Sequence, residues 1–218
     1  MRKRILLLAA LATSLLAPTA FAHTGHADGK EAAAASPAPA PTGTRDPRVY
    51  FTDADLTNQD GRKLKFYSDA LRGKTVVLNV GYTNCTDACP LITKQLLQVR
   101  DELGDAFGKK VFFVTITSDP ARDTPQALKK FAQKQGADVA GWSFLTGRKS
   151  DVDAILKRLG AFSENVDEHS TELFVMDVDS RRMRKMLPNL PPKAIAEAAR
   201  IIATPGKTPG LVPVPGAN

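Results

Sequence analysis

The only two cysteines of this 218-residue chain stand four positions apart, in Gly81-Tyr82-Thr83-Asn84-Cys85-Thr86-Asp87-Ala88-Cys89-Pro90. Thiols at that spacing can close a disulfide, hold a soft metal, or do each at different times. A bridge between them closes so small a loop that chain entropy gives it only roughly 2 kcal/mol, whereas a structural staple ties distant segments. The spacing therefore speaks for chemistry. Of the three histidines, only His169, in Asp167-Glu168-His169-Ser170-Thr171, falls in a stretch that reads as folded. Two thiolates and one imidazole form a copper-type ligand set, trigonal for Cu(I) and able to take Cu(II) with an added oxygen. Structural zinc normally wants a fourth protein ligand. A lone histidine before a strand is as well explained by hydrogen bonds to its neighbours, so the residues alone leave disulfide, metal and loop readings open.

The elements that must position these groups follow from periodicity. Thr75–Val80 is nearly continuous in apolar β-branched residues and reads as the central strand that leads into the cysteines. After Pro90, which suits the first turn of a helix, Ile92, Leu96, Val99 and Leu103 recur at steps of three and four, with Gly104 as the C-cap. Val111–Ile116 is a second buried strand, and strand-helix-strand of this length predicts a parallel crossover. Thr124 and Pro125 read as N-cap and first residue of a helix that carries Leu128, Phe131, Ala132 and Gln135 on one face and stops at Gly136. Further on, Trp142–Leu145 reads as a strand and Ser150–Leu159 as a helix with Ser150 and Asp153 as a capping box. Glu172–Asp177 is a strand expected beside Thr75–Val80, turned at Asp179-Ser180 into an antiparallel arm, and Pro191-Pro192 opens a last helix. Upstream, Val49–Thr52 and Arg62–Phe66 flank Asn58-Gln59-Asp60-Gly61 as an N-terminal β-hairpin. The expected fold is α/β, a central mixed sheet flanked by helices, in one domain over 47–203.

The ends read differently. Residues 1–22 have the form of a secretory signal, with Arg2, Lys3 and Arg4, the apolar run Ile5–Leu16, and Ala20-Phe21-Ala22 as cleavage site. The run is short of the about 20 residues that span a membrane, and no cysteine offers a lipid anchor there, so a soluble exported protein without a permanent membrane anchor is expected. Residues 23–46 are rich in Ala and Pro and read as a disordered lead, and 204–218 as an irregular Pro/Gly tail. If cleavage follows Ala22, the new amine and the imidazole of His23, with His26 close by, could chelate copper; otherwise the two histidines simply flank the cleavage site. The formal charge of +7 falls to +4 without the leader and is scattered, apart from Arg181-Arg182-Met183-Arg184-Lys185. That excludes a nucleic-acid protein and reads as a solvated hairpin arm.

Taken together, these motifs resemble the Sco (SenC) family of exported, thioredoxin-fold copper proteins. The resemblance rests on Gly81-Tyr82-Thr83 leading into Cys85, Asp87, Cys89 and Pro90; on Ser118-Asp119-Pro120 with Arg122-Asp123-Thr124-Pro125; and on Asp167-Glu168-His169 before Leu173-Phe174-Val175-Met176-Asp177. It runs from about Tyr50 to Ile202. It implies a thioredoxin-like fold, copper bound by Cys85, Cys89 and His169 as Cu(I) and Cu(II), and a periplasmic, monomeric metallochaperone. The implied partner is the copper-receiving subunit of cytochrome c oxidase, whose dinuclear copper centre it helps to load, or another periplasmic copper chaperone. Two departures stand out: Thr86 where the family commonly has Pro, and Asn84 where it often has His or Ser. Neither removes a ligand. Asp119 and Asp123 are candidates to orient the site, or simply to cap and turn the chain.

The alternative is an enzyme, a thiol-disulfide oxidoreductase using Cys85 and Cys89 to reduce the cysteines of a copper-protein partner. Against a thioredoxin-type catalyst, the chain has a wider cysteine spacing and Ser170-Thr171 where thioredoxins carry a cis-proline. For either use the thiols need a helix N-terminus to favour thiolate, and Cys85 must lie in a loop if the two sulfurs are ever to bridge.

Overall fold

The computed structural model describes residues 46–204. The expected leader, almost all of the lead, with His23 and His26, and the tail beyond Thr204 lie outside the described residues. Where the sequence suggests a first hairpin arm at Val49–Thr52, the chain forms a short helix, α1 (Pro47–Phe51). Asp46 caps it by accepting from the Arg48 N–H, Pro47 opens it, and Phe51 is buried. The hairpin lies one step later, between β1 (Asp55–Asn58) and β2 (Lys63–Lys65), which pair antiparallel. Its turn is built by Asn58, whose side chain accepts from the N–H groups of Asp60 and Arg62, with Gly61 at φ +78°. Phe66–Leu71, expected to begin as strand, is a π-helical turn that buries Phe66 and Leu71.

The strand before the cysteines, β3 (Thr75–Gly81), is buried at every position. It leads through α2 (Ala88–Leu103) to β4 (Val111–Thr117), and α3 (Pro125–Lys134) leads on to β5 (Trp142–Gly147). β3, β4 and β5 are parallel, as strand-helix-strand connections require. Next, α4 (Lys149–Leu159) precedes β6 (Leu173–Asp177), β7 (Arg182–Met186) and α5 (Pro192–Ala203). β6 lies antiparallel to β3 and β1 antiparallel to β5, giving a seven-stranded mixed sheet in the order β2-β1-β5-β4-β3-β6-β7.

Alternation along the strands feeds two cores. Val77, Phe113, Phe144 and Val175 pack under α2, α3 and α5, whereas Val76, Leu78, Val114, Ile116 and Phe174 pack under α1, the π-helical turn and α4. Thr124 caps α3 through a bond from the Ala127 N–H, and Gly104 and Gly160 terminate α2 and α4 with positive φ. The expected capping box on α4 does not form. That helix begins at Lys149 after Arg148, and Asp153 is held instead by the Lys149 ammonium one turn back.

One polar row crosses the α2 side of the sheet. The Trp142 indole N–H donates to Thr115 Oγ1 at 3.0 Å, and that hydroxyl donates to Asn79 Oδ1 at 2.7 Å, all three side chains being buried. This pins β5 to β4 and β4 to β3 two residues before β3 ends at Gly81. Thr115→Val keeps the shape but leaves an indole donor and an amide acceptor without partners, each costing about 1–3 kcal/mol. Urea unfolding is expected to show a loss of about 2–6 kcal/mol, with the native circular dichroism retained.

Candidate thiol and metal site

Three loops meet at the end of the sheet where β3 stops. The first, Tyr82–Asp87, carries Cys85; the second follows β4 and carries Asp119 and Asp123; the third precedes β6 and carries Asp167 and His169. Gly81 is the hinge of the first. A Cβ there would stand 3.3 Å from Cys89 Sγ, so the absence of a side chain is what lets that thiol pack against the strand end.

Cys85 lies in the loop and Cys89 is the second residue of α2, the division that the two-thiol argument requires. Asp87 occupies the N-cap position yet contributes no side-chain bond to the helix. The Cys85 sulfur does so in its place, accepting the Cys89 N–H at 3.3 Å. Both cysteines are free thiols. Partial burial pushes the Cys85 pKa up, but hydrogen bonds from the Cys89 thiol and from the N–H groups of Cys89 and Asp87 outweigh it, and the net shift is downward. Cys89 goes the other way. Its burial, reinforced by the bond and charge of Cys85 and only partly offset by the Tyr82 N–H, raises it to about 12.

Asp123 holds the cysteine loop from behind. Its buried carboxylate accepts from the Thr83 N–H at 3.1 Å, from the Thr83 hydroxyl at 2.5 Å and from the Thr117 hydroxyl. Burial raises its pKa, and these hydrogen bonds pull in the opposite direction. A bond from the Ser118 N–H to the Gly81 carbonyl at 2.9 Å ties the same two segments through the backbone. Asp119 has a different task. It is buried against its own turn, where its N–H donates to Thr117 Oγ1 and its carboxylate pairs with Arg122.

His169 is buried at the foot of β6, and its Nδ1 lies 2.9 Å from the Ser170 carbonyl oxygen. A carbonyl can only accept, so Nδ1 carries a proton, and in the neutral ring Nε2 is the nitrogen with the lone pair. Both early readings of this residue therefore have a footing, a bond to its neighbour and a nitrogen left available for metal. The structure brings the two thiols together. It does not close His169 onto them: among the described residues, no group of three or more His, Cys, Asp or Glu side chains is arranged to hold a metal. The link between them is Tyr82, to which sequence reasoning gave no role. Its hydroxyl donates to Asp167, its carbonyl accepts the Cys85 N–H at 3.3 Å, and its ring stands edge-on to His169 with centroids 5.8 Å apart. The one sequence signal for it is its place between Gly81 and the first cysteine.

The family model for SCO1/SenC matches residues 43–204, well over half of the chain and all three loops. The chain belongs to the SCO1/SenC family. A Stutzerimonas stutzeri protein named for copper binding is 34% identical over 95 residues, a stretch covering 44% of this chain and 45% of that one. The chain thus matches less than half the length of that relative. Among solved structures, a SCO1/SenC family lipoprotein from Bacillus anthracis superposes with a TM-score of 0.62 at 28% identity, over 71% of this chain and 95% of that one. BsSco, described as a Sco-family cytochrome c oxidase assembly protein with a disulfide switch, gives 0.60 at 23% identity over 70% and 92%. The thioredoxin-like fold implied by the sequence motifs is the fold of this SCO1/SenC domain. Among the described residues no helix is long and apolar enough to cross a membrane.

The opposed thiol shifts make a direct prediction. A thiolate reacts and a thiol does not, and the lowered pKa of Cys85 means that its reactive fraction appears at lower pH than for an ordinary thiol. Limiting iodoacetamide near pH 7.5 is expected to give a singly alkylated protein modified at Cys85, as read by peptide mass spectrometry. Cys89 should react only as the pH climbs toward its value of about 12 or as the protein unfolds.

Proposed function

We propose that this SCO1/SenC protein is an exported metallochaperone that carries copper as cargo on Cys85, Cys89 and His169 and helps to load the dinuclear copper centre of cytochrome c oxidase. The observation that carries the reading is the placement of two free thiols on one helical turn, one on the loop and one on α2, facing a loop whose histidine keeps Nε2 available. The donor set fits copper: two sulfurs suffice for Cu(I), and an added imidazole nitrogen suits Cu(II). Cys85, already favoured as thiolate, is the first ligand, whereas Cys89 must lose a tightly held proton to become the second. His169 completes the set when its loop closes. Asp123 keeps the cysteine loop in register throughout through Thr83. Release follows the same order in reverse, a partner's thiolates replacing these ligands one at a time. Export rests on residues 1–22, and the oxidase partner on membership of the SCO1/SenC family.

A second reading has an observation of its own. The split between a reactive Cys85 and a retained proton on Cys89 is what a thiol-disulfide reductant needs. Cys85 thiolate attacks a partner disulfide, forming a mixed disulfide and releasing one partner thiolate. Cys89, giving up its proton, then displaces the second partner thiolate and closes the Cys85–Cys89 bridge, so that the partner gains two electrons.

His169→Ala is expected to lower Cu(II) affinity by about tenfold or more and to change its visible absorption, while Cu(I) binding and thermal stability hold. Unchanged Cu(II) affinity and absorption in that variant would remove His169 from the site. Sustained turnover of a disulfide substrate by metal-free protein, dependent on both cysteines and with no copper affinity, would decide for the reductant.

A further inference from the structure

Three contacts converge on one residue that neither binds metal nor exchanges electrons in the scheme above. Tyr82 lies three residues before Cys85, and its hydroxyl reaches across 85 positions of sequence to donate to the Asp167 carboxylate, two residues before His169. Its ring meets the His169 ring edge-on, at an interplanar angle of 87°. Its main-chain carbonyl accepts the Cys85 N–H at 3.3 Å, so the residue is tied both to the loop of the first thiol and to the histidine. The connection also sits where the sheet gives least help. The β3–β6 register ends at Leu78↔Phe174, so Asn79, Val80 and Gly81 run past the last pair, and the segment before β6 is held by a backbone bond from the Ser170 N–H to the Ala161 carbonyl at 3.4 Å and by side chains. Asp167 is exposed, and its own loop is braced by a bond from the Asp167 N–H to Asn165 Oδ1 at 3.1 Å.

We propose that Tyr82 is a positioning residue, a latch whose hydroxyl ties the His169 loop to the cysteine loop and so sets how readily His169 joins the two thiols. The inference rests on the copper reading of the site and deepens it. With the latch made, His169 waits edge-on to a ring that belongs to the cysteine loop, and recruiting it is a short local closure. With the latch cut, the loop must first be ordered from a wider set of positions, and that conformational entropy is charged against any state that uses the third ligand. The effect is selective. Cu(II), which draws on the imidazole, depends on the latch, whereas Cu(I), which two thiolates can hold, does not.

The test is Tyr82→Phe, which keeps the ring and removes only the hydroxyl, made in the full chain beside Asp167→Ala, the double variant and His169→Ala. Each is titrated with Cu(II) and, in competition with a Cu(I) chelator, with Cu(I). Loss of one hydrogen bond to a charged group corresponds to about a tenfold change. The expected result is that Tyr82→Phe and Asp167→Ala each weaken Cu(II) about tenfold and leave Cu(I) within about twofold. The double variant should be no weaker than either single one, as for two ends of one bond. Unchanged Cu(II) affinity in Tyr82→Phe, equal losses for both oxidation states, or additive single effects would each overturn the latch. His169→Ala separates the two failures. If it weakens Cu(II) and Tyr82→Phe does not, the latch alone falls; if it has no effect, the ligand reading falls and the latch with it.

Discussion

A sulfur atom caps α2. At most helix starts an oxygen of Ser, Thr, Asp or Asn takes up a free N–H of the first turn. Here Asp87 stands in the capping position without doing so, and the Cys85 sulfur accepts the Cys89 N–H instead. The arrangement joins stability to reactivity. The partial positive charge of the helix start favours a thiolate at that sulfur, and the thiolate in turn is the better acceptor. Whatever draws on the Cys85 lone pairs, a metal or a second sulfur, competes with the cap and loosens the first turn of α2. The helix pays a small price for a residue that must change partners.

Two thiols in one turn cannot both ionise cheaply. Charge on Cys85 raises the cost of charge on Cys89, which burial has already made high. The same pair at equal exposure would share one proton; unequal burial assigns it to Cys89. A soft cation eases the conflict by placing positive charge between the two sulfurs, and oxidation resolves it by removing both charges. The conflict therefore has two exits, and they correspond to the two readings of the protein. Buried Asp123 works against the looseness that either exit requires. Because the Thr83 N–H and hydroxyl and the Thr117 hydroxyl all converge on its carboxylate, the near end of the loop stays fixed while the Cys85 end is free to rearrange.

Much of this was legible in the chain before its fold was known, and the boundary is physical. β3, β4 and β6 could be read because buried strands need unbroken apolar runs, and α2 and α3 because their apolar faces repeat at helical steps. Local capping was legible where proline and threonine fix it, as at Thr124-Pro125, and not where a competing neighbour within a turn overrides it. Val49–Thr52 has strand-like residues, yet Asp46, Pro47 and a buried Phe51 make it helical. Ser150 and Asp153 have the spacing of a capping box, yet the helix begins one residue earlier and Asp153 pairs with Lys149. At the site, Cys85, Cys89 and His169 could be named from residue type, order and family likeness. Asp123 could be named as a residue that orients the site, but its partner could not, and Tyr82 could not be named at all. Asp123 reaches Thr83 across 40 positions and Tyr82 reaches Asp167 across 85, and no periodicity records a contact between loops.

The geometry of the sheet explains why such anchors are needed at all. β3 is paired with β4 along its whole length to Gly81↔Thr117, but with β6 only as far as Leu78↔Phe174. On the β4 side, backbone bonds carry the register up to the cysteine loop and onward through Ser118 to Gly81. On the β6 side they stop short, and the chain before Leu173 crosses the gap without a ladder. Rigid pairing there would fix His169 at one distance from the thiols. A ligand that joins for one oxidation state and stands aside for another, the role proposed for His169, is better held by a single tyrosine hydroxyl and a ring contact than by a row of backbone bonds. The short β6 pairing is thus the structural counterpart of the capping sulfur: each holds one side of the site by an interaction weak enough to exchange.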